Sequence, residues 1–260
     1  MSLSMCVLAS SSAGNSTYVA SATTRILIDA GLSTRETGKR LDAIGVSFDD
    51  VDAVCVTHEH DDHRKGLPVM HRKQDIALYA NQGTVEALSR VEGLQEAPWN
   101  VFTTGNSFTI GDLTLSPFSI PHDGYDPVGY VISCGDCRVA VATDMGMPTN
   151  VIREHLTGCH GIVMECNYDP ELLSNSRRPW SLKQRISGRQ GHLSNVQSEE
   201  LIRDVAGPTL KVVYAAHLSD ECNSLQLAGD ALRRGLKTSG HDHVDVKMTY
   251  REKPSDMTTF

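Results

Sequence analysis

The hexapeptide HEHDDH, running from His58 to His63, sets two imidazoles two residues apart, follows them with Asp62 and closes on a third imidazole. A lone histidine on a loop reads as solvated. Here three of the chain's eleven histidines and two aspartates share six positions, and imidazole and carboxylate at that density point to divalent-cation ligands.

The flanking residues say how such ligands are held. Ala53 to Thr57, AVCVT, is a short β-branched apolar run expected to form a buried strand, and GLPVMHRK after the motif reads as the start of a helix. The ligands are thus expected on an exposed strand-to-helix loop carried by a rigid scaffold. The pattern recurs downstream, where LSPFSIPHDG leads into His122, RVAVATDMG into Asp144 and KVVYAAHLSD into His217. With His58, His60, Asp62 and His63 these make seven candidate ligands, too many for one four-coordinate zinc and suited to two ions that share a carboxylate. Histidine mixed with carboxylate accepts Zn2+ or Mn2+ alike.

Strand-like runs open the chain (MCVLAS, TYVAS, RILIDAG), and a helix follows with Ser33 and Glu36 in capping-box spacing. SFTI, LTLSPFSI, GYVIS and RVAVAT form a second series of strands, with a helix over 149–157. GIVMEC, a second capping box at Ser194 and Gln197, the strand KVVYAA and the helix SLQLAGDALRRG complete the series. Two halves of strands followed by helices imply an α/β chain whose two sheets pack face to face with helices outside. No linker divides it, so residues 1–260 are expected to form a single domain. VDVKMTYREKPSDMTTF is expected to be an edge strand with a frayed tail, and His241 and His243 belong to the turn before it.

Composition excludes several classes. With 40% hydrophobic and 22% charged residues the chain reads as an ordinary globular protein, and no run approaches the length of a membrane span. The first residues carry no basic segment ahead of their apolar stretch, so they read as a strand and not as a signal peptide, and a cytoplasmic location is expected. Seven scattered cysteines do not form a disulfide framework, and Cys134 and Cys137 in CGDC suit the tip of a hairpin. The net charge of −8 argues against nonspecific coating of nucleic acid. One stretch is locally basic: residues 176–195 hold Arg177, Arg178, Lys183, Arg185 and Arg189 with Trp180 and no acid, and lead to His192. Lys183 and Arg185 are candidate phosphate contacts, with Trp180 a platform for a base. His192 stands just before Ser194, whose helix is expected to offer free N–H groups to a phosphate oxygen.

These residues resemble the metallo-β-lactamase superfamily: ILIDAG with Asp29, THEHDDH, His122, ATDMG with Asp144, and His217, together covering roughly residues 5 to 225. The resemblance implies a four-layer αββα sandwich with the site at the edge between its sheets. It implies that His58, His60 and His122 hold one ion, that Asp62, His63 and His217 hold the other, that Asp144 bridges them, and that Asp29 supports the site from behind. LASSSAGNSTYV, PHDGYDPVGYVI, PWSLKQRISGRQGHLSN and HLSDECN look like the YycJ/WalJ-type branch of 5′ to 3′ exodeoxyribonucleases, with Ser11 where a glycine is commoner. Similarity to ribonuclease Z, where a histidine in a His-Ser/Thr context pairs with a glutamate, implies that Glu165 partners His192.

The expected function is therefore a dinuclear metal-dependent phosphodiesterase acting on DNA, with RNA as a further possible substrate. Asp62 and His192 are its catalytic candidates, a metal-bridging hydroxide is the implied nucleophile, and Ser194 is a substrate contact. Two other readings use the same ligands: a hydrolase of a small ester such as a cyclic nucleotide, lactone or thioester, and a ribonuclease Z-like RNA nuclease. A noncatalytic scaffold would be expected to have lost ligands, and none is missing.

Overall fold

Among the described residues the apolar runs pair into two sheets of seven strands each. The computed structural model describes residues 2–73 and 76–260. In chain order the first sheet takes β1 (Ser4–Ala9), β2 (Ser16–Ala20), β3 (Arg25–Ile28), β4 (Ala53–Cys55), β5 (Ala77–Asn81) and β6 (Trp99–Phe102). The second takes β7 (Phe108–Ile110), β8 (Leu113–Ser119), β9 (Val128–Cys134), β10 (Cys137–Ala142), β11 (Gly161–Glu165), β12 (Val212–Ala216) and β13 (Asp245–Met248). The chain then returns to the first sheet as β14 (Thr258–Thr259), beside β1.

Period-two alternation decides what each sheet faces. Along β12, Val212, Tyr214 and Ala216 enter the core between the sheets, while Val213 and Ala215 face the outer helices. In β10, Val139 and Val141 likewise point inward and Ala140 and Ala142 outward. Tyr130 ties the two sheets directly, its buried hydroxyl donating to the Val56 carbonyl at 2.7 Å.

The helices cover both outer faces, which makes the four-layer αββα sandwich. On the first sheet lie α1 (Thr34–Ala43), the single turn α2 (Asp61–Arg64), α3 (Leu67–Lys73) and α4 (Gln82–Leu88); Leu41, Leu67, Met70 and Leu88 anchor this layer. On the second lie α5 (Asn150–Leu156), α6 (Pro170–Asn175), α7 (Trp180–Ile186), α8 (Asn195–Val205) and α9 (Leu225–Thr238). Ile152, Leu201, Ile202, Leu232 and Leu236 supply its apolar stripes. Ser33 caps α1 by accepting from the Glu36 amide, but the Glu36 carboxylate goes to Arg40 at 2.9 Å instead of back to the cap. Ser194 and Gln197 make the full reciprocal box at α8. Cys134 and Cys137 face each other across the β9–β10 hairpin, as expected. No helix among the described residues is long and apolar enough to cross a membrane.

β3 and β4 are parallel, as are β10, β11 and β12. Two antiparallel pairings, β8 to β9 and β9 to β10, bring β8 into the same direction as β10. The carboxyl ends of β3, β4, β8, β10, β11 and β12 therefore open on one rim, the usual place for a ligand site in such sheets.

The carboxyl terminus corrects the sequence reading. It is not frayed: the Ser255 hydroxyl accepts from the Val7 amide at 3.0 Å, Tyr214 donates to the Asp256 carbonyl at 2.9 Å, and the Phe260 ring packs on the inter-sheet core. Gly161 makes room for that ring, since a Cβ there would lie 2.4 Å from Phe260 Cζ. Phe260→Ala should lower stability by about 2 kcal/mol, less than a fully buried phenylalanine because the ring is only partly buried. Urea unfolding measures it, and an unchanged midpoint would mean that the tail is dispensable.

Candidate metal centre

Three strand ends turn toward the rim through a left-handed residue that is not glycine: Asp29 (φ 66°) after β3, Asp144 (φ 60°) after β10 and His217 (φ 55°) after β12. Aspartate tolerates this region better than most residues, yet each instance costs on the order of 1–3 kcal/mol and such strain clusters at functional sites. The turn aims each side chain inward between the sheets.

The predicted ligands come together there. His58, His60 and His122 have ligand atoms within 4.8 Å of one another, and so do Asp62, His63 and His217. Asp144 lies between the two groups, with Oδ2 3.2 Å from His63 Nε2 and Oδ1 3.8 Å from His122 Nε2 and 3.2 Å from His217 Nδ1. The expected exposed loop is corrected: His58 and His63 are buried, and Asp62 and His63 already belong to the turn α2. Gly31 permits the chain to close over them, for a Cβ there would strike the Asp62 carbonyl.

Each buried imidazole is oriented from behind by an acceptor on Nδ1. The Nδ1–H of His63 donates to Asp29 Oδ2 at 2.7 Å, and that of His122 to the Gly191 carbonyl at 3.0 Å. His217 turns Nδ1–H to Glu165 Oε1 at 3.0 Å. Thr57 Oγ1, which donates to Asp29, is left to accept from His58 Nδ1 at 2.9 Å. With Nδ1 engaged in this way, Nε2 is the nitrogen that each of the four turns to the cluster, and it must be unprotonated for metal to bind there. Within the protein, Asp144 Oδ2 and His217 Nε2 are buried and lack a hydrogen-bond partner. Buried polar atoms without partners are rare, and here a cation among the donors satisfies both. The donor set thus fits divalent metal.

Protein groups alone leave an unusual charge balance. Burial works against protonating His217, but Asp144, Asp62 and Glu165 around it prevail and push its pKa up to about 10. His63 is raised for the same reason, by Asp144, Asp29 and Asp62 acting against burial. The Asp144 carboxyl, which burial would raise, is held well below its usual range by His217 and His63. Protons occupy the place that a cation would take, so metal must displace them.

Behind the ligands, Glu165 is fully buried and joins four partners. Oε1 accepts from His192 Nδ1 at 2.7 Å as well as from His217, while Oε2 accepts from the Met145 amide at 2.7 Å and the Leu193 amide at 3.2 Å. His192 so positioned lines a cavity of about 320 Å³ together with His60, Asp62, His122, Asp144 and His217. Arg178 and Arg185 form its wall.

Other site expectations need correction. Ser194 is turned away: its hydroxyl accepts from the Gln197 amide at 3.2 Å and donates to Gln197 Oε1 at 3.0 Å, which closes the cap. The amides of Leu193, Ser194 and Asn195 are also taken, by Glu165, Gln197 and the Tyr168 carbonyl, so these three N–H groups are not free for a phosphate oxygen. Lys183 donates to the Ser174 carbonyl at 2.6 Å and is not among the residues lining the cavity. Arg185 does line it, held by Asp123 Oδ2 at 2.6 and 2.9 Å.

Three residues went unread in the sequence. Asn15 donates from Nδ2 to Asp62 Oδ2 at 3.1 Å and fixes that carboxylate. Asp123 sets Oδ1 3.2 Å from His122 Nε2 while its other oxygen holds Arg185. Glu59, between the first two histidines, accepts from the Tyr125 amide at 3.1 Å and so binds the HEHDDH segment to the loop after His122. The only local signal for each was adjacency to a ligand or a Gly-Asn turn.

Known proteins share this architecture. A family profile described as "Beta-lactamase superfamily domain" matches residues 24–217. Exodeoxyribonuclease YycJ of Bacillus anthracis is 35% identical over 241 residues, covering 92% of this chain and 91% of that protein. Exodeoxyribonuclease WalJ of Streptococcus pneumoniae is 35% identical over 228 residues, 85% and 84% of the two chains. Among solved structures, the metallo-beta-lactamase fold protein YhfI from Bacillus subtilis superposes with a TM-score of 0.74 at 14% identity over the whole of both chains. Zn(2+)-bound PqqB from Methylobacterium extorquens gives 0.72 at 16% identity over 97% and 99%. At those identities the structural likeness shows the fold alone.

Two outcomes follow from the centre. Asp29→Asn should weaken metal affinity about 10- to 100-fold by loosening His63, as titration calorimetry would show; undiminished affinity would mean that Asp29 orients nothing. The second concerns pH. A histidine with a raised folded pKa contributes fully below its unfolded value near 6.5 and loses that contribution as pH rises through the folded value. With His217 at about 10, metal-stripped protein should melt at progressively lower temperature from pH 7 to pH 10, and loading with metal should flatten the slope. Parallel slopes for the stripped and loaded forms would contradict the charge balance.

Proposed function

The chain belongs to the β-lactamase superfamily, and on that premise we propose that it is a metal-dependent exodeoxyribonuclease of the cytoplasm that holds two divalent ions and degrades DNA from the 5′ end. One observation carries the reading. The ligand cluster floors a small cleft whose wall presents two guanidiniums, Arg178 and Arg185, each held by a carboxylate, Glu221 at 2.8 Å and Asp123 at 2.6 Å. Fixed cations opposite a metal cluster suit a phosphodiester better than a neutral ester.

His58, His60 and His122 would hold one ion and Asp62, His63 and His217 the other, with Asp144 between them. Zn2+ and Mn2+ both suit these donors. Bound there, divalent cations supply charge to the phosphoryl oxygens and lower the pKa of a coordinated water toward neutrality. Asp62, its Oδ2 fixed by Asn15, faces the cleft and would orient the attacking water. Arg178 and Arg185 would clamp the phosphate. Glu165 accepts the Nδ1 proton of His192, which leaves Nε2 as the nitrogen that can deliver a proton to the departing 3′-oxygen. Trp180, 71% exposed on α7, would serve as an outer stacking surface for the strand.

Metal-defined protein incubated with DNA labelled at either end, with RNA and with bis(p-nitrophenyl) phosphate tests the whole reading. Mononucleotides should be released from the 5′ end of DNA; release from the 3′ end would reject the polarity, and turnover confined to RNA or to the small ester would reject the substrate. His192→Ala should retain both ions and lose about 10²- to 10⁴-fold in the rate of DNA cleavage. The deficit should shrink on the p-nitrophenyl ester, whose leaving group departs without protonation. An equal deficit on both substrates would remove His192 from the acid's role. Arg185→Glu should weaken single-stranded DNA binding and reduce its salt slope by about 0.7.

A further inference from the structure

Tyr125 stands apart from the site residues described above and combines two features that rarely coincide. Its side chain is 53% exposed, yet the backbone beneath it is held on every side. The Tyr125 amide donates to Glu59, the residue between His58 and His60. The carbonyl of its neighbour Asp126 accepts from Asn81 Nδ2 at 2.7 Å, and the Asp126 carboxylate accepts from Thr104 Oγ1 at 2.8 Å. Gly83, in the first turn of α4, lets the loop approach closely, since a Cβ there would lie 3.4 Å from Tyr125 Cβ and 2.9 Å from Asp126 Cβ.

The ring is fixed as well. Arg90 Nη1 donates to Tyr125 Oη at 2.5 Å, and the guanidinium carbon lies 5.4 Å from the ring centroid. Among the described residues no carboxylate pairs with Arg90, which leaves its charge for an incoming anion. Asp123, which lines the cleft, is two residues earlier, and two residues of chain span at most about 7 Å. A flat aromatic face with a cation beside it is thereby held on the loop that follows the cleft residue Asp123.

We propose that Tyr125 and Arg90 form a stacking site for one nucleobase of the substrate strand, adjacent to the phosphate being cleaved. The inference rests on the nuclease reading and deepens it. Every base offers a π-face, so a tyrosine platform accepts any sequence, as an exonuclease that degrades a strand of any sequence requires. Because loop and ring are ordered beforehand, little entropy is lost when a base lands on them. Arg90, bonded to the ring hydroxyl, would supply a counter-charge to a backbone phosphate beside the stacked base. The site is distinct from Trp180, which sits on α7.

A phosphorothioate-linked single strand carrying one 2-aminopurine, moved position by position from the 5′ end, reads the stack by fluorescence quenching without turnover. The wild-type protein should quench the probe at one position near the end. Tyr125→Ala should abolish that quench and weaken binding about 10-fold, while Tyr125→Phe, which keeps the plane and drops the hydroxyl, should retain most of both. Absence of a quench at every position in the wild type overturns the proposal. So does a Phe variant that behaves like Ala, because the hydroxyl bond to Arg90 and not the plane would then be what matters. A wild-type protein that quenches the probe but degrades no DNA would sink the nuclease reading and leave the stacking site standing.

Discussion

Three carboxylates, Asp29, Asp144 and Glu165, are nearly or wholly buried at one edge of the sandwich, and a fourth, Asp62, stands beside them facing the cleft. Burying one such charge without compensation would cost several kcal/mol, and three of them would unfold an ordinary domain. The surrounding structure is arranged around that constraint. Imidazoles stand between the carboxylates, Asp29 and Glu165 take the Nδ1 protons, and Asp62 and Asp144 are left facing the nitrogens that remain. The balance is complete only when positive charge occupies the middle, whether as protons on His63 and His217 or as divalent metal.

The backbone pays for this convergence in conformational strain at Asp29, Asp144 and His217, each in the left-handed region just beyond a strand. Such strain persists only where rigid elements over-determine it. Parallel pairing of β3 with β4, and of β10 with β11 and β12, supplies that rigidity, since each strained residue follows a fully hydrogen-bonded strand buried on both faces. The fold and the site are therefore one design: the same parallel ends that build the core also bring the candidate ligands together.

Around this acidic floor the wall is cationic. Arg178 and Arg185 are held in place by Glu221 and Asp123. These pairs are solvent-exposed and contribute little to stability, so positioning is their more credible role. Asp123 links the two layers of the site, with one oxygen near His122 and the other on Arg185.

The sequence by itself disclosed whatever is written in short-range pattern. HEHDDH, the strand endings at His122, Asp144 and His217, the caps at Ser33 and Ser194 and the Cys134–Cys137 hairpin all depend on residues a few positions apart, and all were legible. β5 and β6 were not, because ALYAN is apolar at four successive positions and so shows no polar alternation, and WNVF buries only its last residue; nor was α7, whose basic residues hid a helix. The tail read as frayed because nothing near it in sequence shows that β1, some 250 residues away, is its partner. Ser194 shows the limit most clearly. Its cap was foreseen, but a hydroxyl has few hydrogen bonds to give, and only the folded arrangement shows that Gln197 uses them. Asn15 reaches Asp62 across 47 residues and Glu165 reaches His217 across 52. Residue type and spacing fix what a side chain is able to bind, whereas the partner that claims it is set by which distant strands end at the same rim, and that is a property of the tertiary structure alone.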